Sequence, residues 1–318
     1  MINTIKNQLA SHSILGPFGA LVFAILFFST QSPIFLTPHN LSLILQQVMV
    51  LGVLAIGQTL IILTAGIDLS CGMIMVIGSI VMAKLVAVSG WPVWMAVSCG
   101  IVISSFIAMG NGLLVTKIKL PPFIVTLGMS NIAFAMNQLY SEAQTVTNLP
   151  SNLTFLGERI NFFDGYINYG VFLFLFLFLL MGFALKYTAP GRHIYAIGNN
   201  IEAVRLAGIN TTRLLVGVYT VAGFFYGVAG WLAISRSGVG DPQAGQTENL
   251  DSITAVVLGG VSLFGGRGSL FGTFIGILII GCMRNGLILM GVPSVMQILI
   301  TGVLVILAVT IDSSRRQS

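Results

Sequence analysis

Charge is the scarcest property of this chain. Asp, Glu, Lys and Arg make up 7% of its 318 residues, against about 25% in an ordinary soluble domain. So small a supply cannot cover a water-facing surface, and hydrophobic residues, at 56%, take its place. Lipid is the solvent for most of the outside. Cysteine is scarce as well. Cys71, Cys99 and Cys282 all lie in or beside apolar stretches, which excludes a disulfide framework and a spaced thiolate metal site and leaves them as small packing residues. His12, His39 and His193 fall outside those stretches. No cluster of acids and bases lies inside them, so neither a proton relay nor a membrane enzyme finds its residues here. A phosphate loop of the G-x-x-x-x-G-K-S/T pattern is also missing; any ATP hydrolysis belongs to another chain.

What the chain has is apolar length. A bilayer-crossing helix takes roughly 20 mostly apolar residues. The apolar stretches run over 14–30, 43–65, 73–90, 92–115, 122–140, 166–185, 214–235, 253–264, 270–290 and 294–311. Gly90-Trp91-Pro92, Leu120-Pro121-Pro122 and Gly291-Val292-Pro293 punctuate them. The expectation is an all-α polytopic membrane protein, one domain over 1–318, with about ten transmembrane helices. The first stretch follows Lys6, and Ser29-Thr30-Gln31-Ser32-Pro33 is a poor signal-peptidase site, so it reads as a retained helix.

Basic residues set the orientation, because they stay on the cytoplasmic side. Ten crossings put both termini on one face, together with Lys6, Lys117, Lys119, Lys186, Arg192, Arg205, Arg213, Arg267, Arg315 and Arg316. The opposite face holds only Arg159 and Arg236, with Lys84 and Arg284 inside spans and expected to snorkel towards headgroups. Both termini are therefore expected in the cytoplasm. The net charge of +5 follows from the same rule and needs no nucleic acid partner. The longest outer loops are 141–165 and 236–252; the polar, basic segment 187–213 is the large inner one.

Glycine is plentiful, at 37 residues. Gly223 with Gly227, and Gly272 with Gly276, are small-residue pairs that let two helices approach closely. Two other segments read as breaks. Thr64-Ala65-Gly66-Ile67-Asp68-Leu69-Ser70 follows the second stretch, and Gly259-Gly260 through Gly265-Gly266-Arg267-Gly268 ends an apolar run too short to cross. Short, glycine-interrupted spans at matching positions in two halves point to the broken helices of a transporter. Each is followed by a long stretch with a late basic residue and a Gly-x-Pro turn, which suggests two broken-helix repeats. Asp68 reads as a helix cap with Ser70, or as a lock opposite Arg267 that ties the breaks together. Gln47, Gln58, Thr64, Asn111, Thr126 and Asn131 place amides and hydroxyls within or near the ends of spans. Unpaired, such groups are costly in hydrocarbon, so they face other helices or a wet pathway and are the candidates for its lining. The cargo they suit is polar and uncharged.

The inner segment carries helix signals of its own. Asn200 is a good N-cap, Glu202 complements the positive helix end, and Gly208 suits a left-handed C-terminal cap. Ala203 and Ala207 form a small-residue strip, and Glu202 and Arg205 can pair. So short a helix needs something to pack on, either its own membrane domain or a groove on a partner.

The stretches Gly66-Ile67-Asp68-Leu69-Ser70, Leu120 through Gly128, Gly191-Arg192 through Gly208-Ile209, Val257 through Gly268, and Asn285-Gly286-Leu287 resemble the permease subunits of bacterial ABC importers for monosaccharides, of the ribose, xylose and fructose type. The resemblance runs from about residue 40 to the C-terminus. One departure is Cys71, where the family more often has a small apolar residue. The resemblance implies a bacterial inner-membrane permease that carries a monosaccharide, with a lean towards fructose or ribose. It implies ATP-binding cassette subunits that hold ATP and Mg, a periplasmic sugar-binding protein, and a second permease copy, with no cofactor on this chain. It also implies that Asn200, Glu202, Ala203, Arg205, Leu206 and Gly208 belong to the helix that couples to the ATPase. A related permease for nucleosides, branched-chain amino acids or a signalling sugar shares the architecture. A secondary carrier or channel would work without an ATPase.

Overall fold

The computed structural model describes residues 15–317 apart from residue 163; Lys6 and His12 lie outside the described residues. The helices are α1 (Leu15–Gln31), α2 (Pro38–Leu63), α3 (Cys71–Ala87), α4 (Val93–Lys117), α5 (Pro122–Ser141), α6 (Ser151–Thr154), α7 (Tyr169–Tyr187), α8 (Ala189–Asn199), α9 (Ile201–Leu206), α10 (Thr211–Ser237), α11 (Glu248–Leu258), α12 (Leu270–Leu289) and α13 (Ser294–Gln317). Of these, α2, α4, α7, α10 and α12 are long and apolar enough to cross a membrane. Shorter apolar helices are α1, α3 and the first part of α13 (Ser294–Leu307). The stretch 253–264, expected to be one apolar run, is helical only to Leu258, as the end of the eleven-residue helix α11 that begins at Glu248, and then gives way to turns.

The fold is not purely α. Strands β1 (Arg159–Phe162) and β2 (Gly165–Asn168) form an antiparallel hairpin in the segment expected to be an outer loop, with Arg159 opposite Asn168 and Phe162 opposite Gly165. Strands of four residues are too short for a period-2 signal to stand out. The hairpin docks on the start of α2, where the Tyr166 N–H donates to the Ser42 hydroxyl at 2.9 Å.

The helices begin where side chains can take up free N–H groups. Thr37 accepts from Asn40 N–H ahead of Pro38. Asn210 does so for α10 (Arg213 N–H, 2.9 Å) and Ser269 for α12 (Gly272 N–H, 3.0 Å). At its far end α10 stops on Gly238, whose φ of 74° is left-handed.

Helix α2 lies at the centre and is buried continuously from Val48 to Leu63. A helix enclosed on every side has no polar face to show, which is why its sequence lacks amphipathic periodicity. Helix α10 packs on α4, α2 and α3. The two glycine pairs sit at these close approaches: a Cβ at Gly223 would press on the Ser104 carbonyl, one at Gly227 on Ile101 Cα, and one at Gly276 on the Ala255 carbonyl of α11. Polar groups add interhelical ties of the kind membrane bundles use. Asn40 and Asn285 exchange two amide bonds of 2.8 Å between α2 and α12, and the Thr59 and Thr273 hydroxyls meet at 2.9 Å.

Candidate functional site

The two breaks meet in the folded chain. Helix α2 ends at Leu63 and Ala65 turns left-handed, with φ of 62°. The second break, after α11, uses Gly260, Gly265, Gly266 and Gly268, all at positive φ; glycine takes this conformation without steric penalty. Gly259 packs against α12, where a Cβ would meet the Gly272 carbonyl. Across the breaks, Gly266 N–H donates to the Leu63 carbonyl at 2.9 Å. A Cβ on Gly265 would lie 2.7 Å from the Ala65 nitrogen, and one on Gly66 3.2 Å from the Tyr219 hydroxyl.

The expected lock between Asp68 and Arg267 is corrected by this geometry. Asp68 is fully buried and Arg267 is exposed. The Asp68 carboxylate accepts from the Ser70 N–H (2.8 Å), the Ser70 hydroxyl and the Tyr226 hydroxyl (3.2 Å). A backbone bond, not an ion pair, joins the breaks. The Asn111 amide donates to the Ser70 hydroxyl at 2.9 Å, and Tyr226 reaches the Gln58 amide oxygen at 3.5 Å. Thr126 donates to the Ile67 carbonyl at 3.0 Å. Gln58, Asn111 and Thr126, expected to line a pathway, thus gather around the first break. All three are fully buried and line neither of the two cavities described next. In this conformation they hold the break. Asn131 lies apart from them, exposed on α5.

The two cavities open towards opposite faces. The first, of about 710 Å³, lies among α2, β1, the end of α10, α11, α12 and α13. Gln46, Gln47, Thr247, Gln297 and Thr301 supply amides and hydroxyls to its wall, with Arg159, Arg236, Arg284 and Asp251. Three of the few basic residues placed outside the basic face therefore converge on one space. Arg284 does not snorkel to headgroups as expected; its guanidinium pairs with the buried Asp251 carboxylate and lies 3.4 Å from the Thr247 hydroxyl. Arg159 stacks on the Tyr166 ring at 4.3 Å. Lys84 reaches the exposed end of α5, where it donates to the Tyr140 carbonyl at 2.7 Å, with the Glu142 carboxylate at 3.6 Å. The amides and hydroxyls on this wall can exchange hydrogen bonds with the hydroxyl groups of a solute, because each hydroxyl can donate and accept; they stand beside apolar side chains such as Leu51, Ile280 and Ile298 and the guanidinium groups of Arg159 and Arg236.

The second cavity, of about 600 Å³, lies on the basic face against the first break. Thr64, Ala65 and Gly66 form one wall; Lys119, Glu202, Arg205, Thr211 and Tyr219 complete it. The Tyr219 hydroxyl is buried there with no hydrogen-bond partner.

Beside this cavity stand α8 and α9. The sequence around α8, with Pro190, Gly191 and Gly198, reads as loop; the chain folds it as helix. Thr188 caps it by accepting from Gly191 N–H at 3.2 Å, Pro190 sits in its first turn, and Ile194 and Ile197 are buried. Asn200 then caps α9, accepting from Ala203 N–H at 3.0 Å, and Gly208 closes its far end at φ of 82°. Glu202 and Arg205 make no ion pair with each other; the ion pairs among the described residues are Lys84–Glu142 and Arg284–Asp251. Only Val204 of α9 is buried, and Leu206 is 87% exposed.

Comparison with known proteins gives this arrangement its family. Residues 40–309 match the family described as branched-chain amino acid transport system / permease component. The chain belongs to that permease family. It is 45% identical to the fructose import permease protein FrcC of Rhizobium meliloti over 283 residues, covering 87% of this chain and 79% of that one. It is 39% identical to the ribose import permease protein RbsC of Bacillus subtilis, covering 95% and 93%. It is 31% identical to the xylose transport system permease protein XylH of Escherichia coli, covering 94% and 91%. No solved structure matches it. The permease is a multi-pass membrane protein, and the matched region contains both breaks, both cavities and the α8–α9 segment. Sequence reasoning missed Asp251, Tyr219, Tyr226 and Asn40 as functional or tying residues. The signal for Asp251 was there: an acid at the head of a short apolar run, opposite a basic residue late in the next stretch.

Proposed function

We propose that this permease is the membrane-spanning subunit of an ATP-driven monosaccharide importer of the bacterial inner membrane. The observation that carries the reading is the likeness, over nearly the whole chain, to permeases named for fructose, ribose and xylose import. The amides and hydroxyls on the wall of the first cavity support a cargo that bears hydroxyl groups. Identity to the fructose permease, at 45%, exceeds that to the Bacillus subtilis ribose permease, at 39%, so the lean is to a hexose or pentose of the fructose or ribose type.

In this reading the basic face is cytoplasmic, both termini lie there, and about ten segments cross the bilayer. The chain works as one domain, paired with a second copy of itself. A sugar-loaded binding protein delivers cargo at the outer face, near 141–165 and 236–252. The sugar enters the first cavity past Gln47 and leaves by the second, past Thr64. ATP and Mg are held by separate cassette subunits that seat on α9. This chain binds no cofactor and catalyses no reaction.

The test is ATP hydrolysis by the complete assembly in lipid nanodiscs, with binding proteins loaded from a panel of pentoses, hexoses and branched-chain amino acids. Stimulation by one sugar-loaded protein is expected and identifies the cargo. Stimulation by an amino acid alone, or sugar flux through this chain with no ATPase attached, overturns the reading.

A further inference from the structure

We propose that α8 is the link that carries motion from α9 into the membrane, and that Tyr195, Gly198 and Asn199 make the link by seating the last turn of α8 on the junction of the two breaks. The proposal rests on the importer reading above, and concerns how its coupling surface reaches the helices.

Helix α8 touches both breaks at their shared hydrogen bond. The Leu63 carbonyl that accepts from Gly266 N–H lies directly over Gly198, where a Cβ would overlap both that oxygen and the Gly266 nitrogen. Only glycine lets the helix backbone come this close. On the next residue, the Asn199 amide donates to the Gly266 carbonyl at 3.5 Å and to the Tyr195 carbonyl at 3.2 Å. One turn earlier, the Tyr195 hydroxyl donates to the Gly268 carbonyl at 3.2 Å. One helix end thus holds the C-terminus of α2 and the segment entering α12.

The same end is joined to α9 with almost no slack. Asn200 is both the last cap of α8 and the first cap of α9. Helix α9 is anchored on the protein by Val204, with its remaining side chains exposed. A displacement of α9 by a bound partner therefore passes into α8 instead of being absorbed by packing around α9. The other end of α8 is fixed: Thr188 donates to the Ala184 carbonyl at 2.6 Å, and Gly191 sits against the α7 backbone, where an added Cβ would lie 2.5 Å from the Leu185 carbonyl. Helix α8 is a short lever hinged at α7 and loaded at Asn200. Its moving end bears on the hydrogen bond that joins the two breaks. Packed side chains and hydrogen bonds in contiguous series of this kind carry energetic coupling between distant sites.

The test uses the full importer in proteoliposomes with Tyr195→Phe and Gly198→Ala. Phe keeps the ring packing and removes one hydrogen bond; Ala inserts a methyl group between the two breaks. Three quantities are read: ATPase co-purified with the permease, hydrolysis stimulated by loaded binding protein, and sugar taken up per ATP. Co-purification is expected to stay at the wild-type level in both variants. Uptake per ATP is expected to fall about fivefold or more, the lower end of a typical coupling effect, with Gly198→Ala the more severe. Unchanged uptake per ATP in both variants overturns the proposal. If Gly198→Ala does not insert, Tyr195→Phe decides alone. If the wild-type assembly shows no stimulated hydrolysis, the importer reading fails, and the lever with it.

Discussion

The backbone N–H of Gly266 and the carbonyl of Leu63 form a 2.9 Å hydrogen bond that joins the two interrupted helices of this permease. Both groups are left over by chain that is no longer helical: Leu63 closes α2, and Gly266 lies between α11 and α12. A helix end leaves carbonyls without an intrahelical partner, and inside a membrane those groups must be paired by protein. Each break satisfies part of the other.

Asp68 holds the first break through three donors, the Ser70 N–H, the Ser70 hydroxyl and the Tyr226 hydroxyl. Asp68→Ala leaves the two Ser70 donors buried and unpaired and the Tyr226 hydroxyl with only the Gln58 amide oxygen at 3.5 Å, at about 1–3 kcal/mol for each lost partner before relaxation. A net loss of about 3 kcal/mol is expected. Asp68→Asn keeps an acceptor for Ser70 and should lose about 1 kcal/mol. Thermal unfolding in detergent should rank wild type above Asn and Asn above Ala. An Ala variant as stable as wild type would show that the network does not hold the break.

The Asp251–Arg284 pair ties α11 to α12 at the wall of the outer cavity. The Asp251 side chain is 2% exposed and that of Arg284 38%, so the carboxylate is the partner that suffers when the pair is broken. Removing one member of a buried pair costs about 3–5 kcal/mol. Partial hydration of the arginine lowers the figure here, and Arg284→Ala should cost about 2 kcal/mol. The double variant Asp251→Asn with Arg284→Ala should recover part of the loss, since it no longer buries an unpaired charge. A double-mutant cycle on unfolding free energy measures this; strict additivity would mean the two groups do not interact.

Legibility in the sequence follows the length scale of each interaction. Of the ten apolar stretches, five correspond to helices long and apolar enough to cross a membrane. The glycine pairs 223/227 and 272/276 and the caps at Asn200 and Gly208 rest on signals within a few residues of each other, and each has a matching feature in the fold. The partners of buried polar groups do not. Opposite charge makes Arg267 the simplest partner for Asp68, yet Asp68 pairs with Tyr226, 158 positions away. Asn40 finds Asn285 in the same way. Gln58 sits in a helix buried on all sides, where no periodicity shows which face an amide takes, whereas Asn111 lies on the buried face of α4 with Ser104, Ala108 and Gly112. Helix α8 is hidden because glycine at 191 and 198 and proline at 190 look like loop; the glycines are where its backbone approaches α7 and the breaks.

Helix α9 presents Ile201, Glu202, Ala203, Arg205 and Leu206 outward, and these side chains should govern ATPase binding and little else. Leu206, at 87% exposure, is the apolar centre of that surface. Leu206→Asp removes a contact of the kind that costs about 1 kcal/mol or more at an interface, so assembly with the ATPase should weaken about tenfold. The joint replacement Glu202→Lys with Arg205→Glu reverses both exposed charges and should also weaken assembly, through mispaired charges on the partner. Neither variant removes a buried group or breaks a helix cap, and exposed substitutions of this sort change stability by about 0.5 kcal/mol at most. Membrane insertion and the thermal midpoint of the isolated permease should therefore match wild type. Co-purification of the cassette subunit with each variant, quantified against permease, checks the expectation. Wild-type recovery of the ATPase with both variants would move the docking surface off α9, and a parallel loss of permease stability would mean that α9 packs on its own bundle instead of on a partner.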